Sequence, residues 1–82
     1  MYSKTNLIQM TWKQDLLAII KNHWSIGAEF TIHDLYMFEE ELAATYPDNK
    51  FIRAKLRQVA QDLRRDLIVE FVDGRGTYRR RF

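Results

Sequence analysis

Eight of the ten cationic side chains beyond Asp48 are arginines: Arg53, Arg57, Arg64, Arg65, Arg75, Arg79, Arg80 and Arg81, with Lys50 and Lys55 as the other two. A guanidinium presents a planar fork of donors that matches phosphate oxygens or the O6 and N7 of guanine, whereas an ammonium acts as a point charge. Gln58 and Gln61 lie among these arginines, and a glutamine amide pairs bidentately with adenine N6 and N7. The residue types therefore point to holding a polyanion and reading base edges. The charge is also divided by position. Through Asp48 three lysines face seven carboxylates, a net of −4; from Asn49 onward ten cations face four carboxylates, a net of +6. A cationic final third is attached to an acidic support.

Residues suited to making and breaking bonds are sparse. Cysteine is absent, which removes disulfides, thiolate nucleophiles and thiolate metal sites together. His23 and His33 fall on different expected elements, and His33 sits at a helix start as a surface residue. Glu39, Glu40 and Glu41 are consecutive, so on a helix they fan over ~200° and cannot converge on one ion. The chain has no glycine-rich phosphate loop ahead of a helix, no serine elbow and no nuclease-type carboxylate cluster. The expectation is a binding module with no catalytic residue, no metal and no cofactor.

These side chains need elements to position them. Residues 1–10 lack periodicity and read as a lead-in or linker, with only Leu7 and Ile8 as candidates for packing. Thr11 is a good N-cap, and Trp12, Leu16, Ile19, Ile20 and Trp24 recur at helical spacing, marking one face of a helix to about Asn22. Gly27 breaks that pattern, and Glu29 and Phe30 form a short extended piece. Thr31-x-x-Asp34 is a capping box that opens a second helix, with Ile32, Leu35, Phe38 and Leu42 inward and the three glutamates toward solvent. Pro47 stops it, and Asp48 or Asn49 can cap a third helix over residues 50–65. Its stripe of Ile52, Leu56, Val59 and Leu63 stays within about 60° at ~100° per residue, so Lys50, Arg53, Ala54, Arg57, Gln58, Gln61, Arg64 and Arg65 point the other way. Phe51 is expected as a half-buried staple at the helix start. Residues 67–72 read as a strand, residues 73–76 as a glycine turn and residues 77–82 as a returning strand. On that strand Tyr78 should face the third helix or Phe71, with Arg79 and Arg81 outward.

Helix, short strand, helix, helix, hairpin is the order of a winged helix-turn-helix. The fold expected over residues 11–82 is a single mainly helical α+β domain of three helices and a wing of two to three strands. At 82 residues, 46% apolar and 29% charged, one small core is what the chain can bury. No apolar run approaches the ~20 residues of a membrane helix. The first ten residues lack the pattern of a signal peptide, so a cytoplasmic, nucleoid-associated monomer is expected. Its partner would be double-stranded DNA, gripped by Lys50, Arg53, Ala54, Arg57, Gln58, Gln61 and Arg64 of the third helix and by Arg75, Thr77, Arg79 and Arg81 of the wing. On this reading Arg80→Ala weakens binding to all sequences alike. A winged-helix transcriptional regulator and a protein–protein interaction module are the competing assignments.

The stretch from Glu29 to Leu42, then Tyr46-Pro-Asp-Asn, Lys55-Leu-Arg-Gln58, Gln61-Asp-Leu-Arg64 and Glu70-Phe-Val-Asp-Gly-Arg-Gly-Thr-Tyr-Arg79 resembles the C-terminal winged-helix domain of the Dam-replacing family. Those proteins are restriction endonucleases that depend on 6-methyladenine and cut methylated GATC sites. The likeness spans about residues 11–81. It implies that Arg53, Arg57, Gln58 and Gln61 fall on a major-groove helix, that Arg75 and Arg79 fall in the wing, and that the domain helps to read 6-methyladenine in duplex DNA. The chain departs from the family in carrying Leu67 where glycine is frequent. The family's nuclease domain is not found in these 82 residues, so an excised or stand-alone recognition module that does not cut DNA is expected.

Overall fold

The threonine hydroxyls that open the first two helices make the bonds their positions call for. The computed structural model describes residues 11–82; the lead-in assigned to residues 1–10, including Leu7 and Ile8, lies outside the described residues. Helix α1 (Trp12–His23) starts on a reciprocal box in which the Thr11 hydroxyl accepts from the Gln14 N–H and the Gln14 side chain accepts from the Thr11 N–H. Strand β1 (Glu29–Thr31) ends in a second box, Thr31 with Asp34, that opens α2 (Ile32–Tyr36). Each box satisfies donors that a helix start otherwise leaves without partners.

The single second helix expected from the sequence is in fact two, α2 and α3 (Glu39–Thr45). At the break the Met37 N–H reaches the carbonyls of both Asp34 and Leu35, and the Phe38 N–H bonds Leu35 at 3.0 Å. The tightened i→i+3 turn keeps Leu35 and Leu42 buried, so apolar spacing alone cannot distinguish it from a continuous helix. It also carries Phe38 to within 4.7 Å of the His23 ring, against the end of α1.

Helix α4 (Ile52–Arg65) begins two residues later than expected, which leaves Lys50 outside it. Neither Asp48 nor Asn49 is its N-cap: that position is Phe51, whose N–H donates to Asn49 Oδ1 at 2.7 Å. Ile52, Leu56, Val59 and Leu63 are buried as their spacing requires, and Ala60 joins them. The small Ala60 side chain widens the buried stripe on a helix that packs against α1, α2 and α3. Strands β2 (Val69–Phe71) and β3 (Thr77–Arg80) form the hairpin, and β1 pairs with β3 to complete an antiparallel sheet of order β1-β3-β2. Phe30, Val69 and Tyr78 point from the sheet into the core, with Tyr78 stacked between Phe30 and Phe71. This is the winged helix-turn-helix arrangement.

Leu67 marks the turn out of α4. The Ile68 N–H bonds the Leu63 carbonyl at 2.9 Å and the Leu67 N–H bonds Arg64 at 3.0 Å, a Schellman-type closure whose left-handed residue is normally glycine. Here leucine takes that place, at φ 63° and with its side chain 78% exposed. A left-handed backbone costs a β-carbon-bearing residue about 1–2 kcal/mol, and an exposed side chain recovers little of it. Leu67→Gly is therefore expected to raise stability by about 0.5–1 kcal/mol, read as a higher midpoint in urea unfolding. An unchanged or lower midpoint would mean that Leu67 makes contacts that offset its strain.

Candidate nucleic-acid interface

The outward face of α4 falls into two rows. Ala54, Gln58, Gln61 and Arg65 run along its centre and are exposed, and Gln58 and Gln61 have no side-chain hydrogen-bond partner among the described residues. Arg53, Arg57 and Arg64 form the flanking row, within about 40° of one another at ~100° per residue. This row is supported by aromatic rings on neighbouring elements. The Arg53 guanidinium lies 4.8 Å from the centre of the Tyr36 ring and its Nε donates to Glu39 Oε1 at 2.9 Å. Arg57 Nη1 donates to the Tyr36 hydroxyl at 2.8 Å, and the Arg64 guanidinium lies 4.4 Å from the centre of the Phe71 ring. Such cation–π contacts hold a guanidinium flat without consuming its charge. Arg65 instead pairs with Asp62 one turn back.

The wing is tied to the same region at two points. The Ile32 N–H at the start of α2 donates to the Gly76 carbonyl at 2.8 Å, and Arg64 rests on Phe71 of β2. Gly76 cannot be replaced without cost, because its φ is +93° and a β-carbon there would stand 3.1 Å from Ile32 Cγ2. At the tip, Asp73 Oδ1 accepts the backbone N–H groups of Arg75 at 2.8 Å and Thr77 at 3.3 Å. The Arg75 N–H in particular holds the Asp73 carboxyl below the usual carboxylate range. Arg75 is exposed, with no ion-pair partner among the described residues.

The linkage of Asp73 has a definite sign. Its folded-state pKa is depressed, so the ordered tip is favoured above the ordinary carboxylate pKa of about 4 and weakens as the pH falls through the lower folded value. Relaxation of the Arg75 and Thr77 amide nitrogens, followed from about pH 6 to pH 2, is expected to show the tip loosening only at the acid end. Loosening near neutrality would remove Asp73 from this role.

The remaining wing cations are engaged. Arg79 stands in the middle strand of the sheet between two carboxylates, 2.8 Å from Glu29 Oε2 and 3.2 Å from Glu70 Oε1. Register explains the triplet, because Glu29 and Glu70 are its cross-strand partners on either side. Both carboxylates, Glu29 first, raise the Arg79 pKa further. Arg81 lies 3.9 Å from Glu70, and Thr77 is half-buried opposite Thr31.

Two assignments change. Arg80, expected on the wing as a cation that grips DNA of any sequence, is 9% exposed: its Nη1 donates to the Trp24 carbonyl at 2.7 Å, its Nη2 donates to the Phe82 carbonyl at 3.0 Å, and its guanidinium lies over the Phe82 ring. Residue 80 faces inward with Tyr78, as strand alternation demands. Phe51, expected as a half-buried staple, is 76% exposed beside Lys50 at the head of α4. The residue that sequence reasoning passed over is Tyr36. Its only signal there was an aromatic at the end of a helix carrying Leu35 inward, and no local pattern announces that its hydroxyl meets Arg57.

A family model described as a Dam-replacing HTH domain matches residues 8–80. The chain belongs to this family. The Dam-replacing HTH domain accordingly has DNA as its partner, and its helix-turn-helix consists of α2 and α3 leading through residues 46–51 to α4. Among the described residues no helix is long and apolar enough to cross a membrane.

Proposed function

We propose that this Dam-replacing HTH domain docks on duplex DNA with α4 in the major groove and the residue 73–76 wing on the adjoining backbone, and that it prefers GATC-type sites bearing 6-methyladenine. The observation that carries this reading is the pair of rows on α4: unpartnered amides at the centre, flanked by Arg57 on the Tyr36 hydroxyl and Arg64 over the Phe71 ring, neither of which has a carboxylate partner among the described residues. Arg57 is suited to fork onto guanine or a phosphate, and Gln58 and Gln61 to pair with adenine edges. Lys50, Arg64 and Arg75 are suited to phosphates. Arg79 reaches DNA only by giving up two carboxylates, so it contributes least, and Arg81 and Thr77 flank the path of the backbone.

A methyl on adenine N6 leaves one amino hydrogen and N7 available and adds an apolar bump in the groove. Recognition then needs an amide beside a small or flat apolar surface. Gln58 with Ala54, and the exposed Phe51 three residues before Ala54, supply both. The domain is thereby read as a recognition module, either part of a restriction endonuclease or a stand-alone relative, with no chemistry of its own.

Fluorescence anisotropy with methylated, unmethylated and scrambled GATC duplexes tests this. Burying one methyl group contributes ~0.8 kcal/mol, so about a fourfold preference is expected for each methyl contacted. Affinity should fall steeply with salt as counterions are released. Equal affinity for methylated and unmethylated sites would remove the methyl clause, and salt-insensitive binding would remove the α4–wing docking. Sedimentation without DNA is expected to show a monomer.

A further inference from the structure

Tyr36 closes α2 and meets a different group on each side of its ring. Arg53 covers one face, His33 stands edge-on with centroids 5.6 Å apart and an interplanar angle of 88°, and the hydroxyl accepts from Arg57. The partners of the two arginines differ in kind. Arg53 is bound to the Glu39 carboxylate at the head of α3, so it fastens α4 to the break between α2 and α3. Arg57 has no carboxylate partner among the described residues and is held by a neutral oxygen instead. A carboxylate would restrain Arg57 but cancel its charge, whereas a phenol restrains it and leaves the charge whole.

We infer that Tyr36 is a positioning residue: its hydroxyl pre-orients Arg57 toward the DNA while its ring seats Arg53 on the α2–α3 break. Tyr36 then governs discrimination between sequences more than overall grip. A guanidinium already restricted in the free protein loses less conformational freedom when it forks onto a base, and a misdirected fork gains nothing from a wrong base. The inference rests on the reading of α4 as the groove helix.

Tyr36→Phe separates the two roles, because it removes the oxygen and keeps the ring under Arg53. The experiment measures nitrogen relaxation at the arginine Nε–H groups of the free protein, together with anisotropy on methylated GATC and scrambled duplexes. The proteins compared are the wild type, Tyr36→Phe, Arg57→Ala and the double variant. In Tyr36→Phe the order of the Arg57 side chain is expected to fall and that of Arg53 to persist. The affinity ratio between the two duplexes should shrink about two- to tenfold, with no further loss when the change is added to Arg57→Ala. An unchanged Arg57 order, or an equal loss of discrimination in the Arg57→Ala background, overturns the inference. If the wild type itself does not separate the two duplexes, the GATC reading fails, and Tyr36 is judged on the Arg57 order alone.

Discussion

Arg80→Ala is expected to cost the domain about 2–4 kcal/mol of stability, because a hydrogen bond from a buried charged donor contributes about 1.5–3 kcal/mol and its half-buried acceptors lose their partner. For a domain of this size that is a fall of roughly 10–25 °C in melting temperature. The carbonyl of Trp24 is the acceptor of the shorter of its two strong bonds, and Lys21 O lies a further 3.5 Å from Nη1. Both carbonyls belong to the end of α1, where the helix dipole favours a cation. The same strand's backbone continues the tie: the Arg80 N–H bonds the Ala28 carbonyl and the Gly27 N–H bonds Arg80 O. Arg80 thus fastens the sheet to the end of α1, which is a folding role. Thermal melting by circular dichroism checks it. Arg81→Ala, one residue on and exposed, should stay within about 0.5 kcal/mol, and Arg80→Lys should recover part of the loss by keeping the charge. Equal melting of Arg80→Ala and wild type would return Arg80 to the surface.

Arg57→Ala is expected to weaken binding to the preferred duplex by about 1–3 kcal/mol, a factor of roughly 5 to 150, and to relax discrimination at the contacted base pair. Arg79→Ala supplies the contrast. Both residues are arginines on elements assigned to the interface, yet Arg79 is already spent on Glu29 and Glu70, so its loss should change DNA affinity little. Its ion pairs are partly exposed, so breaking them should change stability little. Anisotropy across a set of single-base variants of the duplex distinguishes the two residues. A larger loss from Arg79→Ala than from Arg57→Ala would move the interface from α4 to the outer face of the sheet.

Much of the framework is legible in the order of residues alone. Thr31 and Asp34 announce a helix start because the box is local, its partners three residues apart. The stripe of α4 is legible for the same reason, since one face of a helix repeats within a turn. The hairpin follows from a strand, two glycines at φ +71° and +93°, and a second strand. The misjudged features share a cause. The break at Phe38 preserves the apolar spacing of an unbroken helix, and Phe51 looks like a staple because aromatic residues beside helix starts usually pack.

Residue order alone specified the elements, their capping and the concentration of guanidinium groups in the final third of the chain, all properties that neighbouring residues impose on one another. It did not specify which of those groups remain free to bind. Arg57 meets Tyr36 across 21 positions, Arg79 meets Glu29 across 50 and Arg80 meets Trp24 across 56. Chain folding chose these partners, and electrostatics made the choice matter. The same side chain beside a phenol keeps its charge available, between two carboxylates is neutralised, and folded back onto backbone carbonyls is itself buried.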